Sequence, residues 1–153
     1  MKIHRLNETS LLAAATVIAV LASAIMVPRA AMADGAIAVG FPADVVKSGF
    51  SYGYHVNAKT RGDARNGAFD SCRDNKVAPE SARTLCTLVG SFKDECVAIA
   101  MDPKAGTPGV GFAIAADKET AEERALAFCT ATAGKDRKGF CKIDASACDG
   151  KRD

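Results

Sequence analysis

The sequence predicts an α+β fold: two tandem β-β-α-β units forming one compact antiparallel-sheet domain with two helices, stapled by disulfides. Three observations carry this expectation. The chain matches itself, with Ala36-Ile37-Ala38 recurring as Ala98-Ile99-Ala100 and Ala64, Ala68 and Cys72 recurring as Ala121, Ala125 and Cys129. The hydrophobic period changes within each copy from two to that of a helix. All six cysteines (Cys72, Cys86, Cys96, Cys129, Cys141, Cys148) fall within the duplicated part. An even set of this kind reads as a disulfide framework.

The chain starts with Lys2, His4 and Arg5, and an uncharged apolar run from Leu11 to Val27 follows. Pro28-Arg29 closes the run, and Ala31-Met32-Ala33 supplies a small-x-small site. These are the three parts of a secretory signal peptide, so residues 1–33 are expected to be removed after export to the periplasm or the medium. Pro28 breaks the helix where an extended cleavage segment is required, which favours cleavage over retention as a membrane anchor. The remaining 120 residues suit a single domain, 34–153, and hold 17 basic and 17 acidic side chains. A net charge of zero offers no electrostatic attraction to nucleic acid or to an anionic membrane. The chain has no Trp, so its core must be built from smaller residues.

The first unit covers 35–95 and the second 96–149. Residues 36–40 and 97–101 read as buried strands. Residues 48–56 alternate Phe50, Tyr52, Tyr54 and Val56 against Gly49, Ser51, Gly53 and His55, the pattern of a half-buried strand, and Gly111–Ala115 is its counterpart. On this reading Gly49-Phe50 corresponds to Gly111-Phe112. Loops 41–47 and 102–108 join the paired strands. The two alanine-rich helices close on Cys72 and Cys129, with Thr60/Asp63 and Thr120/Glu123 as expected cap pairs. Gly62 and Gly67 weaken the first helix. Residues 85–89 and 140–143 read as the third strands, with Cys86 matching Cys141 and Cys96 matching Cys148.

A helix packed on its sheet brings its terminal cysteine near the strand that follows. Cys72–Cys86 and Cys129–Cys141 are therefore the expected pairs, among fifteen connectivities that six cysteines allow. Cys96 and Cys148 remain, and their bridge is expected to clasp the two halves. Metal binding is disfavoured, because the cysteine spacings of 14, 10, 33, 12 and 7 contain no C-x-x-C and His55 is the one histidine beyond the leader.

The order of these elements resembles the secreted bacterial domain-of-unknown-function family 4189. The resemblance rests on Gly35-Ala36-Ile37-Ala38, on Gly49-Phe50-Ser51-Tyr52-Gly53-Tyr54 and on the alanine-rich helix ending at Cys72. The second half adds Cys96-Val97-Ala98-Ile99-Ala100, Ala121 through Cys129, Phe140-Cys141-Lys142-Ile143 and Cys148. It covers roughly residues 35–149. It implies an exported bacterial α+β domain of paired units and brings no established activity. The chain departs from the family pattern in lacking a Trp in the glycine-rich strands and in its long Arg73–Leu85 loop.

No catalytic, cofactor-binding or metal-ligating residue is assigned; the six cysteines are the assigned structural positions. A hydrolytic site would have to use His55, and a lone histidine without a nucleophile motif is weak evidence for one. A cysteine nucleophile requires a free thiol. Asp94-Glu95 reads as part of a turn, and Glu122-Glu123 as acids favoured in a helix's first turn. Gly106-Thr107-Pro108-Gly109-Val110-Gly111 precedes a strand, not the helix start a phosphate loop needs. The tip Lys135-Asp136-Arg137-Lys138 reads as a solvated basic loop, and Tyr52 and Tyr54 as core residues with some capacity for contact. The function these features favour is a small non-enzymatic module that binds another protein, inhibitor-like in build, without a cofactor. The alternatives are a cell-envelope hydrolase with a site near His55 and a structural envelope component.

Overall fold

The computed structural model describes residues 34–150. The leader expected over residues 1–33 lies outside the described residues. In chain order the elements are β1 (Asp34–Gly40), α1 (Val45–Ser48), β2 (Ser51–Ala58), α2 (Arg61–Arg73), α3 (Glu80–Arg83), β3 (Cys86–Phe92), β4 (Cys96–Met101), β5 (Val110–Ala115), α4 (Lys118–Thr132) and β6 (Lys142–Cys148). A 3₁₀ turn, Lys138–Phe140, precedes β6. The fold is α+β, as the periodicity predicts. Each unit builds its own three-stranded antiparallel sheet, in the orders β2-β1-β3 and β5-β4-β6.

Side-chain size decides how these pieces stack. In β1, Ala36 and Ala38 face α2, while Ile37 and Val39 point the other way. In β4, Ala98 and Ala100 face α4, while Val97 and Ile99 point the other way. The bulky faces of the two sheets meet in one cluster with Phe50, Phe92 and Val110. The result is four layers, helix, sheet, sheet, helix. Small residues let each helix settle closely on its sheet, and branched residues fill the space between the sheets.

Gly53 and Gly111 mark the closest helix–sheet approach. A β-carbon at Gly53 would lie 2.1 Å from the Cys72 nitrogen, and one at Gly111 would lie 2.4 Å from the Cys129 nitrogen. This equivalence corrects the expected alignment of the second strands. Ala38 pairs with Gly53 and Ala100 pairs with Gly111, so Gly53-Tyr54, not Gly49-Phe50, corresponds to Gly111-Phe112. The offset falls from 62 at Ala38/Ala100 to 58 at Gly53/Gly111 because the first unit carries the four-residue turn α1 before β2. It falls to 57 at Cys72/Cys129 through one extra residue in β2, where the ladder with β1 shifts and Asn57 has φ of 59°. It reaches 55 at Cys86/Cys141 because the disulfide separations are 14 and 12.

The disulfides join Cys72 to Cys86, Cys129 to Cys141 and Cys96 to Cys148. The first two fasten each helix to the start of its own third strand, Cys86 opening β3 and Cys141 directly preceding β6. The last does not clasp the halves: Cys96 and Cys148 face each other across β4 and β6 within the second sheet. Cys96 opens β4 and corresponds to Asp34, so the units hold two and four cysteines, not three each. The strand expected over 140–143 begins instead at Lys142 and runs to Cys148, since Phe140 belongs to the 3₁₀ turn. Thr60 caps α2 by accepting from the Asp63 amide, as expected. The cap of α4 is Asp117, which accepts from the Thr120 amide; Thr120 with Glu123 is not the cap pair.

The sheets are also held by polar contacts. The Tyr52 hydroxyl on β2 donates to the Asp144 carboxylate at the bulge of β6. Buried Asp149 accepts from the Asn57 and Asp94 amides, so one side chain fixes the end of β2, the β3–β4 turn and the residue after β6. The Asp94-Glu95 pair is part of this turn, with the Asp149 amide donating to the Glu95 carbonyl.

Candidate functional site

His55 lies on the α2 side of β2 and is exposed. Its ring occupies the space a side chain at position 67 would need, since a β-carbon there would come within 2.6 Å of Nδ1. Gly67 thus lowers helix propensity but admits the imidazole. No hydrogen bond joins the ring to a carboxylate or hydroxyl among the described residues. All six cysteines are oxidised, leaving no free thiol there. The described residues contain no cluster of three or more potential metal ligands.

The basic tip is not simply solvated. Arg137 reaches across to Asp102, donating from Nε at 2.7 Å and from Nη2 at 2.6 Å. Its guanidinium also lies 3.9 Å from the Phe140 ring centroid. Arg137 hydrogen bonding holds the Asp102 carboxyl down at about 2, against an opposing push from burial; the Lys104 amide adds to the lowering. Asp102 is therefore an anchor for the β4–β5 loop. Tyr52 is half-buried, and burial, followed by its bond to Asp144, pushes its hydroxyl well above the usual tyrosine range.

The connection after β1 and its equivalent after β4 meet at one end of the sandwich and enclose a groove of about 370 Å³. Its floor consists of residues of the inter-sheet core: half-buried Val45 and Met101 and buried Phe50 and Val110. The long Cys72–Cys86 loop supplies a wall through Val77 and Pro79. Val77 is 97 % exposed and Val46 47 %. Phe41, 52 % exposed, meets Phe50 edge-on with ring centroids 5.7 Å apart, and Phe50 stacks on Tyr52. Phe41, Val46 and Val77 are thus large apolar side chains exposed in this region. A second, more polar depression of about 320 Å³ is lined by Arg73, Asp74, Glu80, Arg83 and Thr84. One Arg83 donor is used on the Arg73 carbonyl.

Sequence reasoning did not single out Phe41, Val46 or Val77. A signal was available: each is a large apolar residue in a connecting loop. Tyr52 and Tyr54, which the sequence does mark, line the inter-sheet core, and Tyr52 reaches the groove region through Phe50.

Fold and site define a disulfide-stapled, duplicated α+β sandwich with an apolar groove between two equivalent loops. The chain belongs to the family described as domain of unknown function (DUF4189), whose family model matches residues 35–148. No curated protein and no solved structure matches the chain.

Proposed function

We propose that the chain is an exported, non-enzymatic module that binds another protein through the groove end of the sandwich. The observation that carries this reading is the exposed apolar set Phe41, Val46 and Val77 around the groove, mounted on a frame held by three disulfides. A fixed frame lowers the ordering cost of association, and apolar anchors near the centre of a contact supply most of its energy. Export is supported by the oxidised cysteines, which persist in oxidising compartments. No helix among the described residues is long and apolar enough to cross a membrane.

The test is photo-crosslinking in the producing cells, with a benzophenone amino acid at position 46 or at position 128, where Phe128 is exposed on α4. Discrete protein adducts that disappear in Val77→Asp support the reading. An absence of adducts from both positions overturns it. A hydrolytic activity on envelope material that His55→Ala abolishes without unfolding would also overturn it.

A further inference from the structure

We propose that the groove receives a partner segment in which a bulky apolar side chain is flanked by carboxylates. This inference rests on the protein-binding reading and deepens it. The floor is formed by half-buried Val45 and Met101 and by buried Phe50 and Val110, all part of the inter-sheet core, so an apolar side chain entering the groove would extend that core. A volume of about 370 Å³ suits a short extended segment with one or two large side chains.

Charge selects the flanks. Three ionisable side chains line the groove: Lys47, Asp102 and Lys104. Asp102 presents no free charge, because its side chain is fully buried and both oxygens are engaged by Arg137, with the Lys104 amide on one of them. Lys104 makes no ion pair among the described residues. Lys47 lies 3.6 Å from Asp44, but its side chain is 83 % exposed and Asp44 is not part of the groove lining. Such an exposed pair is weak and yields readily to a partner carboxylate. The accessible charge of the groove is thus positive, and it comes from both units: Lys47 sits in the connection after β1 and Lys104 in its equivalent after β4. Cations flanking an apolar floor favour anionic neighbours around the inserted side chain and disfavour basic ones.

The experiment titrates the ¹⁵N-labelled oxidised protein with three blocked hexapeptides: Gly-Glu-Leu-Phe-Glu-Gly, Gly-Lys-Leu-Phe-Lys-Gly and Gly-Glu-Gly-Ser-Glu-Gly. Decanoate is the non-peptide control. The first peptide is expected to shift the amides of Val46, Val77 and Lys104 and to bind at least about tenfold more tightly than either other peptide. The double variant Lys47→Glu, Lys104→Glu is expected to invert the preference between the first two. Equal binding of the acidic and basic peptides, no shift at the groove, or equal shifts with decanoate would overturn the proposal. Protein adducts from position 46 that disappear in Val77→Asp, together with equal binding of the acidic and basic peptides, would overturn this proposal alone. Adducts from position 128 and none from position 46 would overturn the groove as the binding end as well. Far-UV circular dichroism of the double variant keeps a folding defect from imitating a loss of binding.

Discussion

At Gly53 and Gly111 the space for a β-carbon is taken by the backbone of the overlying helix. At position 53 it would lie 2.1 Å from the Cys72 nitrogen and 2.6 Å from the Ala68 carbonyl oxygen; at 111 it would lie 2.3 Å from the Ala125 oxygen. Backbone cannot swing aside as a flexible side chain can, so the helix must lift from the sheet. Gly53→Ala and Gly111→Ala are each expected to cost about 3 kcal/mol, the upper part of the overpacking range. Urea unfolding measures it, and a loss under ~0.5 kcal/mol would contradict the close approach. Asp102 allows a second test at this scale. Arg137 lowers its folded carboxyl from 3.8 to about 2. A depressed carboxylate stabilises the fold above its unfolded value and loses that contribution as pH falls through the folded value. The stability advantage of the wild type over Asp102→Asn should therefore be full near neutrality and shrink as pH falls from about 4 to about 2. Urea midpoints across that window check the sign, and a constant difference would refute it.

Between elements, the cross-links differ in what they restrain. Cys72–Cys86 and Cys129–Cys141 close separations of 14 and 12 residues, whereas Cys96–Cys148 closes 52. In the chain-entropy account the long closure restricts the unfolded chain more, worth about 4 kcal/mol against about 3 for each short one. Replacing both Cys96 and Cys148 by Ala should thus lower the melting temperature further than either short-bridge replacement. The opposite order would place the main effect in the folded state. The same elements show what the sequence alone makes legible. Spacing alone placed Cys72 and Cys129 at helix ends above Cys86 and Cys141, because the helical period and the following strand are local signals. The span of the third bridge was misread, because facing Cys96 with Cys148 depends on β6 running on to residue 148 beside β4. The shifted alignment of β2 with β5 has a similar origin. A one-turn helix and a bulge at Asn57 change the offset without leaving a periodic trace in the sequence. The groove was illegible for a further reason: its residues come from three connections that only the stacking of the two sheets brings together.

Across the whole molecule, neither unit can satisfy its sheet alone. Each helix covers one face of its sheet, and the other face carries Ile37, Val39, Phe50 and Phe92 in the first unit and Val97, Ile99 and Val110 in the second. The fit between them is close. A β-carbon on Gly90 of β3 would lie 2.8 Å from the Ile114 side chain of β5, so the edge strands of the two sheets are already in contact there. No disulfide links the units: each of the three bridges lies within 35–95 or within 96–149. Besides the β3–β4 turn, the halves are held by this apolar face together with the Tyr52–Asp144 and Asp149 hydrogen bonds and the bond that the Gly150 amide donates to Asn57 Oδ1. Burial is worth roughly 25 cal/mol per Å² of apolar surface, so a separated unit forfeits much of the term that offsets its chain entropy. Residues 34–95 produced alone and oxidised should therefore either lack cooperative unfolding or self-associate through the same face. Equimolar 96–150 should restore a 1:1 complex with cooperative unfolding. Sedimentation and thermal melts of each half and of the mixture decide the matter. A monomeric first half that melts cooperatively would show that the inter-sheet core is not what completes the fold, and Ile99→Ala in the second half, costing about 3 kcal/mol if that core matters, tests the same face from the other side.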